Sequence, residues 1–135
     1  ARQPDELLIS ISIPPIPNKN WYCAYLKFST RAAMDIATLG CAITCELTNE
    51  GNILRSSIAL GVAGPTPVRC TVAEKYLEGK PPFQKAIVEA SNLALQAATP
   101  RSSWRASKEY REALIKELVI EAFETALSEL LIRGE

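Results

Sequence analysis

Apolar and polar residues alternate with a period of two through the first half of the chain, and with a period near 3.6 through the second. Leu7, Ile9, Ile11 and Ile13 alternate with Ser10 and Ser12 until Pro14-Pro15, which cannot continue a hydrogen-bonded ladder. This predicts a half-buried first strand. A second strand is expected from about Trp21 to Ser29, where aromatic and bulky side chains gather, and a third from about Ile36 to Leu47. The third places Leu39, Cys41, Ile43, Cys45 and Leu47 on one face and Thr38, Gly40, Thr44 and Glu46 on the other. Thr48-Asn49-Glu50-Gly51-Asn52 supplies a turn, after which Leu54, Ser56, Ile58, Leu60 and Val62 continue the alternation, so an antiparallel hairpin follows.

At residue 71 the period changes. Thr71-Val72-Ala73-Glu74 has the spacing of a capping box, in which the Thr and Glu side chains satisfy amides at a helix start. A short helix should run from there to near Gly79. Beyond Pro81-Pro82, Phe83, Ile87, Ala90, Ala94 and Ala97 form the stripe of a second helix that ends before Pro100. A last helix is expected from Ser107, as N-cap, to about Leu131, with Leu114, Leu118, Val119, Ala122, Phe123, Ala126, Leu127 and Leu130 inward and glutamates outward. Strands segregated from helices in this way predict an α+β layer fold, an antiparallel sheet covered on one face by helices.

Composition narrows what such a domain does. At 135 residues the chain, 1–135, is the size of a single domain that needs no disulfide or metal to hold it. Fifteen basic and fifteen acidic residues cancel and are scattered, which disfavours nucleic acid as a partner. The apolar runs fall short of the roughly 20 residues of a membrane span, and the expected compartment is the cytoplasm. Cys23, Cys41, Cys45 and Cys70 lack metal-site or redox spacing and read as buried reduced thiols.

There is no histidine, which removes the usual general base and every Ser-His or Cys-His nucleophile, and Asp5 and Asp35 are the only aspartates. No metal ligand set or catalytic residue is expected, and a stand-alone hydrolase ranks last. Gly61-Val62-Ala63-Gly64-Pro65 has neither the glycine order nor the strand-to-long-helix setting of a dinucleotide loop, and reads as a turn. The densest charged stretch is Tyr25 to Ala37, where Lys27 leaves a strand end with Arg31 and Asp35 close behind. A lysine so placed can donate to a ligand as a point charge, whereas Arg31 and Asp35 can pair and fix the loop.

Taken in order, these segments resemble the C-terminal domain of the flavin-binding (medium) subunit of molybdenum hydroxylases, the family of the xanthine and carbon monoxide dehydrogenases. The resemblance runs from Glu6-Leu7-Leu8-Ile9 through Tyr25-Leu26-Lys27, Arg31, Asp35-Ile36-Ala37 and Ile58-Ala59-Leu60-Gly61. It continues through Pro65-Thr66-Pro67-Val68-Arg69, Leu77, Gly79-Lys80, and Ser107, Tyr110 and Arg111. It implies three or four antiparallel strands followed by three helices. It further implies an oxidoreductase subunit that passes electrons from iron-sulfur clusters through FAD to an acceptor, with molybdopterin and the clusters on partner subunits.

The main flavin-binding elements would lie in preceding domains outside this chain, which closes one side of the FAD site. Two positions carry over as flavin contacts, Leu8 on the first strand and Lys27 at the end of the second. The loop after Lys27, with Arg31 and Asp35, would lie near the flavin ring. Relatives often have an aspartate before Arg105, where this chain has Ser102-Ser103-Trp104. The alternative expectation is a non-catalytic docking module for subunit assembly.

Overall fold

The computed structural model describes residues 3–13, 15, 20–31 and 33–133, with side chains as far as Ser128. Its elements follow the predicted order: β1 (Trp21–Phe28), β2 (Leu39–Leu47), β3 (Ile53–Gly61), β4 (Val68–Arg69), α1 (Thr71–Leu77), α2 (Gln84–Ala97) and α3 (Lys108–Arg133). The strands form one antiparallel sheet in the order β1-β2-β3-β4, each beside its sequence neighbour. Helices α1 and α3 lie on the sheet and α2 packs against both of them.

Side-chain alternation divides the sheet into two unlike faces. Leu39, Cys41, Ile43, Cys45 and Leu47 are buried, and their cross-strand partners Leu60, Ile58 and Tyr22 are buried with them. Against this face pack Ala73 and Leu77 of α1, Ile87, Ala90 and Ala94 of α2, and Ile115, Val119, Ala122, Phe123 and Ala126 of α3. Phe123 is wholly buried, and burying such a side chain contributes about 1.5–3 kcal/mol relative to leaving it in water. The small alanines of α2 let it approach its neighbours closely.

The opposite face is built from small and polar residues: Gly40, Ala42 and Thr44 of β2 beside Gly61, Ala59 and Ser57 of β3. At one end of it Glu46 is buried under Arg55, which bonds it at 2.5 Å and lies 4.8 Å from the Trp21 ring centroid.

Four expectations need correction. Residues 7–13 are in no strand: Leu7, Leu8, Ile9, Ile11 and Ile13 are between 69% and 87% exposed. A period-two pattern specifies which side of a strand would be buried but supplies no partner, and without ladder hydrogen bonds to a neighbour the segment stays extended and solvated. β2 begins at Leu39 rather than Ile36, because the described residues between Phe28 and Thr38 are in no strand and the Thr38 amide donates to the Phe28 carbonyl at 2.8 Å.

In β3 it is Ile53 that is wholly buried and Leu54 that is exposed, reversing the expected alternation there. The register shifts between Glu46↔Arg55 and Leu47↔Ile53, so Leu54 is the extra residue of a bulge and is turned outward. Finally, the Thr71–Glu74 capping box does not form. Thr71 is already helical, no side chain caps α1, and the Glu74 carboxylate is committed elsewhere: it accepts from the Ile58 amide at 2.8 Å and from the Arg69 guanidinium twice at 2.9 Å.

Smaller differences have the same local character. Phe83 precedes α2 and is 70% exposed instead of joining its stripe. In α3, Ile115 is wholly buried while Leu114 and Leu127 are only partly so; the side chain of Leu130 lies outside the described residues. Ser107 acts as predicted, its hydroxyl accepting the Tyr110 amide at 3.1 Å. All four cysteines are free, but Cys23 is exposed, because its place on β1 points it to the side of the sheet that bears no helix.

Candidate functional site

Lys27 is the penultimate residue of β1, an edge strand. Its neighbours Leu26 and Phe28 turn toward the helices, so strand alternation turns Lys27 to the small-residue face, where it shares a cross-strand row with Gly40 and Gly61. The two glycines bring no side chains of their own to that row. Tyr25 stands beside it and covers Gly40 so closely that a Cβ there would meet the Tyr25 hydroxyl at 3.2 Å. The Lys27 ammonium is exposed and makes one long hydrogen bond, 3.4 Å, to the Asp35 carbonyl.

The loop beyond β1 holds itself together with its own polar groups. The Asp35 carboxylate accepts the Arg31 amide at 2.9 Å, the Arg31 guanidinium donates to the Met34 carbonyl at 3.2 Å, and the Ser29 hydroxyl donates to the Arg31 carbonyl at 2.8 Å. Arg31 and Asp35 therefore do fix the loop, but through main-chain groups. The hydrogen bond from the Arg31 amide, first among several causes, holds the Asp35 carboxyl below its ordinary value, against desolvation in the other direction. At the crest Met34 adopts φ 51° and is 94% exposed. Lys27, Arg31 and Asp35 are thus brought into one loop base. Leu8 is not joined to them: it is exposed in the unpaired segment and outside the core cluster.

At the same end of the sheet the polypeptide encloses a cavity of about 360 Å³ lined by Val62, Gly64, Pro65, Thr99, Arg101 and Arg111. Val62 follows Gly61 directly and has φ 64°, an uncommon conformation for a β-branched residue. Gly64 leaves room that a Cβ would take, since it would stand 3.0 Å from Val68 Cγ2. Arg111, in the first turn of α3, is 3% exposed. Its guanidinium donates to the Thr38 carbonyl and, at 3.0 Å, to the Ser103 hydroxyl, while its Nε–H has no acceptor among the described residues.

The sequence reading gave Arg111 no role. Its signal was periodic: residues 111, 115 and 119 fall on one helix face, and Ile115 and Val119 are core residues. The head of α3 is further fixed by the Phe28 and Tyr110 rings, 6.2 Å apart edge to face.

Among the described residues no group of His, Cys, Asp and Glu could hold a metal ion, and no helix is long and apolar enough to cross a membrane. Burial pushes the Cys41 and Cys45 thiols up to about 12 and Cys70 to about 11, far from a reactive thiolate.

Comparison with known proteins agrees with this architecture. Residues 24–126 match the family model described as the CO dehydrogenase flavoprotein C-terminal domain. A putative xanthine dehydrogenase FAD-binding subunit of Escherichia coli strain K12 is 41% identical over 124 residues, covering 92% of this chain and 42% of that protein. The alpha subunit of the 6-hydroxypseudooxynicotine dehydrogenase complex of Paenarthrobacter nicotinovorans is 29% identical over 124 residues, 92% of this chain and 41% of that one. Among solved structures, a carbon monoxide dehydrogenase from Hydrogenophaga pseudoflava superposes with a TM-score of 0.78 at 28% identity, over 84% of this chain and 39% of its own. The chain thus spans about two fifths of the length of the relatives it matches.

Proposed function

Because the chain belongs to the CO dehydrogenase flavoprotein C-terminal domain family, we propose that it forms one wall of the FAD site in the flavin subunit of a molybdenum hydroxylase, with Lys27 as its flavin contact. The carrying observation is the placement of Lys27. It is an exposed cation at a sheet edge, in a row whose other two positions are glycines, so a planar ring approaching there would meet the Tyr25 ring over Gly40 rather than side chains of the row itself. Its weak bond to the Asp35 carbonyl is easily exchanged for a ligand acceptor.

When bound, FAD supplies a two-electron carrier between iron-sulfur clusters and a final acceptor. The chain's own part is electrostatic and steric. The Lys27 ammonium favours whichever state of a neighbouring ring carries more negative charge. The loop closed by Arg31 and Asp35 stands at the rim, where it limits access for the acceptor, and Leu8 reaches the cofactor only when residues 7–13 are drawn against another surface. The preceding FAD-binding domains of the same subunit, and the iron-sulfur and molybdenum subunits, are the proposed partners. Since most of the enclosing surface belongs to those domains, the chain alone binds FAD weakly or not at all.

The test is Lys27→Met in the complete flavin subunit, with Lys27→Arg as the conservative control. The expected result is a lower flavin potential or weaker FAD retention in the Met variant, largely restored by Arg. Unchanged potential and FAD content would remove Lys27 from the site. The solvent exposure of Leu7, Ile9, Ile11 and Ile13 favours a second role in subunit docking. Full FAD content with failed subunit association in variants of those residues would assign them to assembly alone.

A further inference from the structure

From the arginine-lined cavity beside the head of α3, we infer that this chain binds a small oxoanion, a phosphate or carboxylate group, between Arg111 and Arg101. Arg111 is a permanently charged group taken almost wholly out of water. Its two bonded partners, the Thr38 carbonyl and the Ser103 hydroxyl, are neutral, and its Nε–H has none among the described residues. Among the described residues no carboxylate pairs with it. Its sequence neighbour Glu112 faces Lys108 at 3.6 Å, and no acidic residue is among the described residues that line the cavity. A buried cation without a counter-ion is costly unless an anion completes the site.

The cavity has the remaining parts such a ligand needs. Arg101 adds a second guanidinium and Thr99 a hydroxyl, and Gly64 keeps the wall open by lacking a Cβ. The volume of about 360 Å³ is at the small end of ligand pockets, room for an anionic group with a short attachment. A planar guanidinium matches two oxygens of a phosphate or carboxylate at once, which a neutral ligand could not exploit. The site is positioned by rigid parts: the Ser102 and Ser107 hydroxyls accept the Lys108 and Tyr110 amides, and the Ser103 amide donates to the Ala106 carbonyl. Nothing in it depends on flavin binding, so it stands apart from the proposal for Lys27, although both lie at one end of the sheet.

Ser103 provides the decisive variant. Its hydroxyl already contacts Arg111, so Ser103→Asp would set a carboxylate where the buried cation can pair with it internally, with no place left for an external anion. The experiment titrates the chain with inorganic phosphate and, separately, acetate against sodium chloride at matched ionic strength, following the Arg111 Nε–Hε resonance and the melting temperature. Saturable change with phosphate identifies a phosphate site and saturable change with acetate alone a carboxylate site.

In either case Arg101→Gln should weaken binding at least tenfold, and Ser103→Asp should abolish it while raising the melting temperature without ligand. Three outcomes would overturn the inference: no saturable change in the parent chain, binding unaltered in Arg101→Gln, or binding unaltered in a folded Ser103→Asp.

Discussion

The carboxylate of Glu74 can be asked directly which of two jobs it does. The pattern Thr71-x-x-Glu74 suggests a helix cap, but in the structure Glu74 seals β3 at the point where the two-residue β4 stops pairing with it. It is 8% exposed and accepts the Ile58 amide and two hydrogen bonds from the Arg69 guanidinium, through Nε and one terminal nitrogen. Glu74→Ala leaves the buried Ile58 N–H without an acceptor, a loss of about 1–3 kcal/mol. The ion pair adds at most about 1 kcal/mol, because the Arg69 side chain is 56% exposed.

A total of about 1–4 kcal/mol is therefore expected, a fall of about 0.5–2 M in the urea midpoint for a slope near 2 kcal/mol/M. Glu74→Gln keeps an oxygen for the Ile58 amide and should cost only about 1 kcal/mol. Thr71→Ala separates the readings most sharply: loss of a true cap costs about 1 kcal/mol, whereas here the change should stay within about 0.5 kcal/mol. Urea unfolding followed by circular dichroism, with the slope checked for constancy, measures all three. A Thr71→Ala cost equal to that of Glu74→Ala, or equal costs for the Ala and Gln variants of Glu74, would refute this account.

Two further outcomes test the fold and its cysteines. The bulge in β3 predicts that Ile53→Ala costs about 2–5 kcal/mol, as for a buried aliphatic truncation, and Leu54→Ala under about 0.5 kcal/mol, by the same urea assay; similar costs would place the register elsewhere. Iodoacetamide near pH 8 should modify Cys23 alone in the native chain and all four cysteines after unfolding, because burial raises the other three thiols and hides them. Peptide mass mapping reads this out, and native labelling of Cys45 would contradict the packing.

Much of this architecture was legible in the sequence, because periodicity and burial are directly coupled. The alternation of β2, the Thr48–Asn52 turn, the break at Pro100 and the Ser107 cap each follow from local chemistry that tertiary contacts leave alone. What local pattern could not supply was partnership. Leu7–Ile13 has the alternation of a strand and no strand to pair with among the described residues; Leu54 satisfies the alternation until one inserted residue shifts the ladder; and Glu74 meets the spacing of a cap while a strand 16 residues earlier claims its oxygens.

Lys27 was found from its charge and its place at a strand end, both local properties. Arg111 was missed as a site residue because a charge on an apolar helix face looks like an interruption until the structure shows it buried beside a cavity. Cys23 was misassigned for the reverse reason: cysteine is among the most buried residue types, but its strand position turns it to the side without helices.

The sequence Leu7-Leu8-Ile9-Ser10-Ile11-Ser12-Ile13 has no charge, proline or glycine, and its large side chains are open to water. Seven such residues are enough to stack in register with copies of themselves, giving dry interdigitated sheets. Self-association of this polypeptide through its first strand-like stretch is the expected consequence, read as light scattering that rises with concentration. A single lysine in place of Ile11 would act as a gatekeeper and suppress that rise without touching any residue of the packed interior.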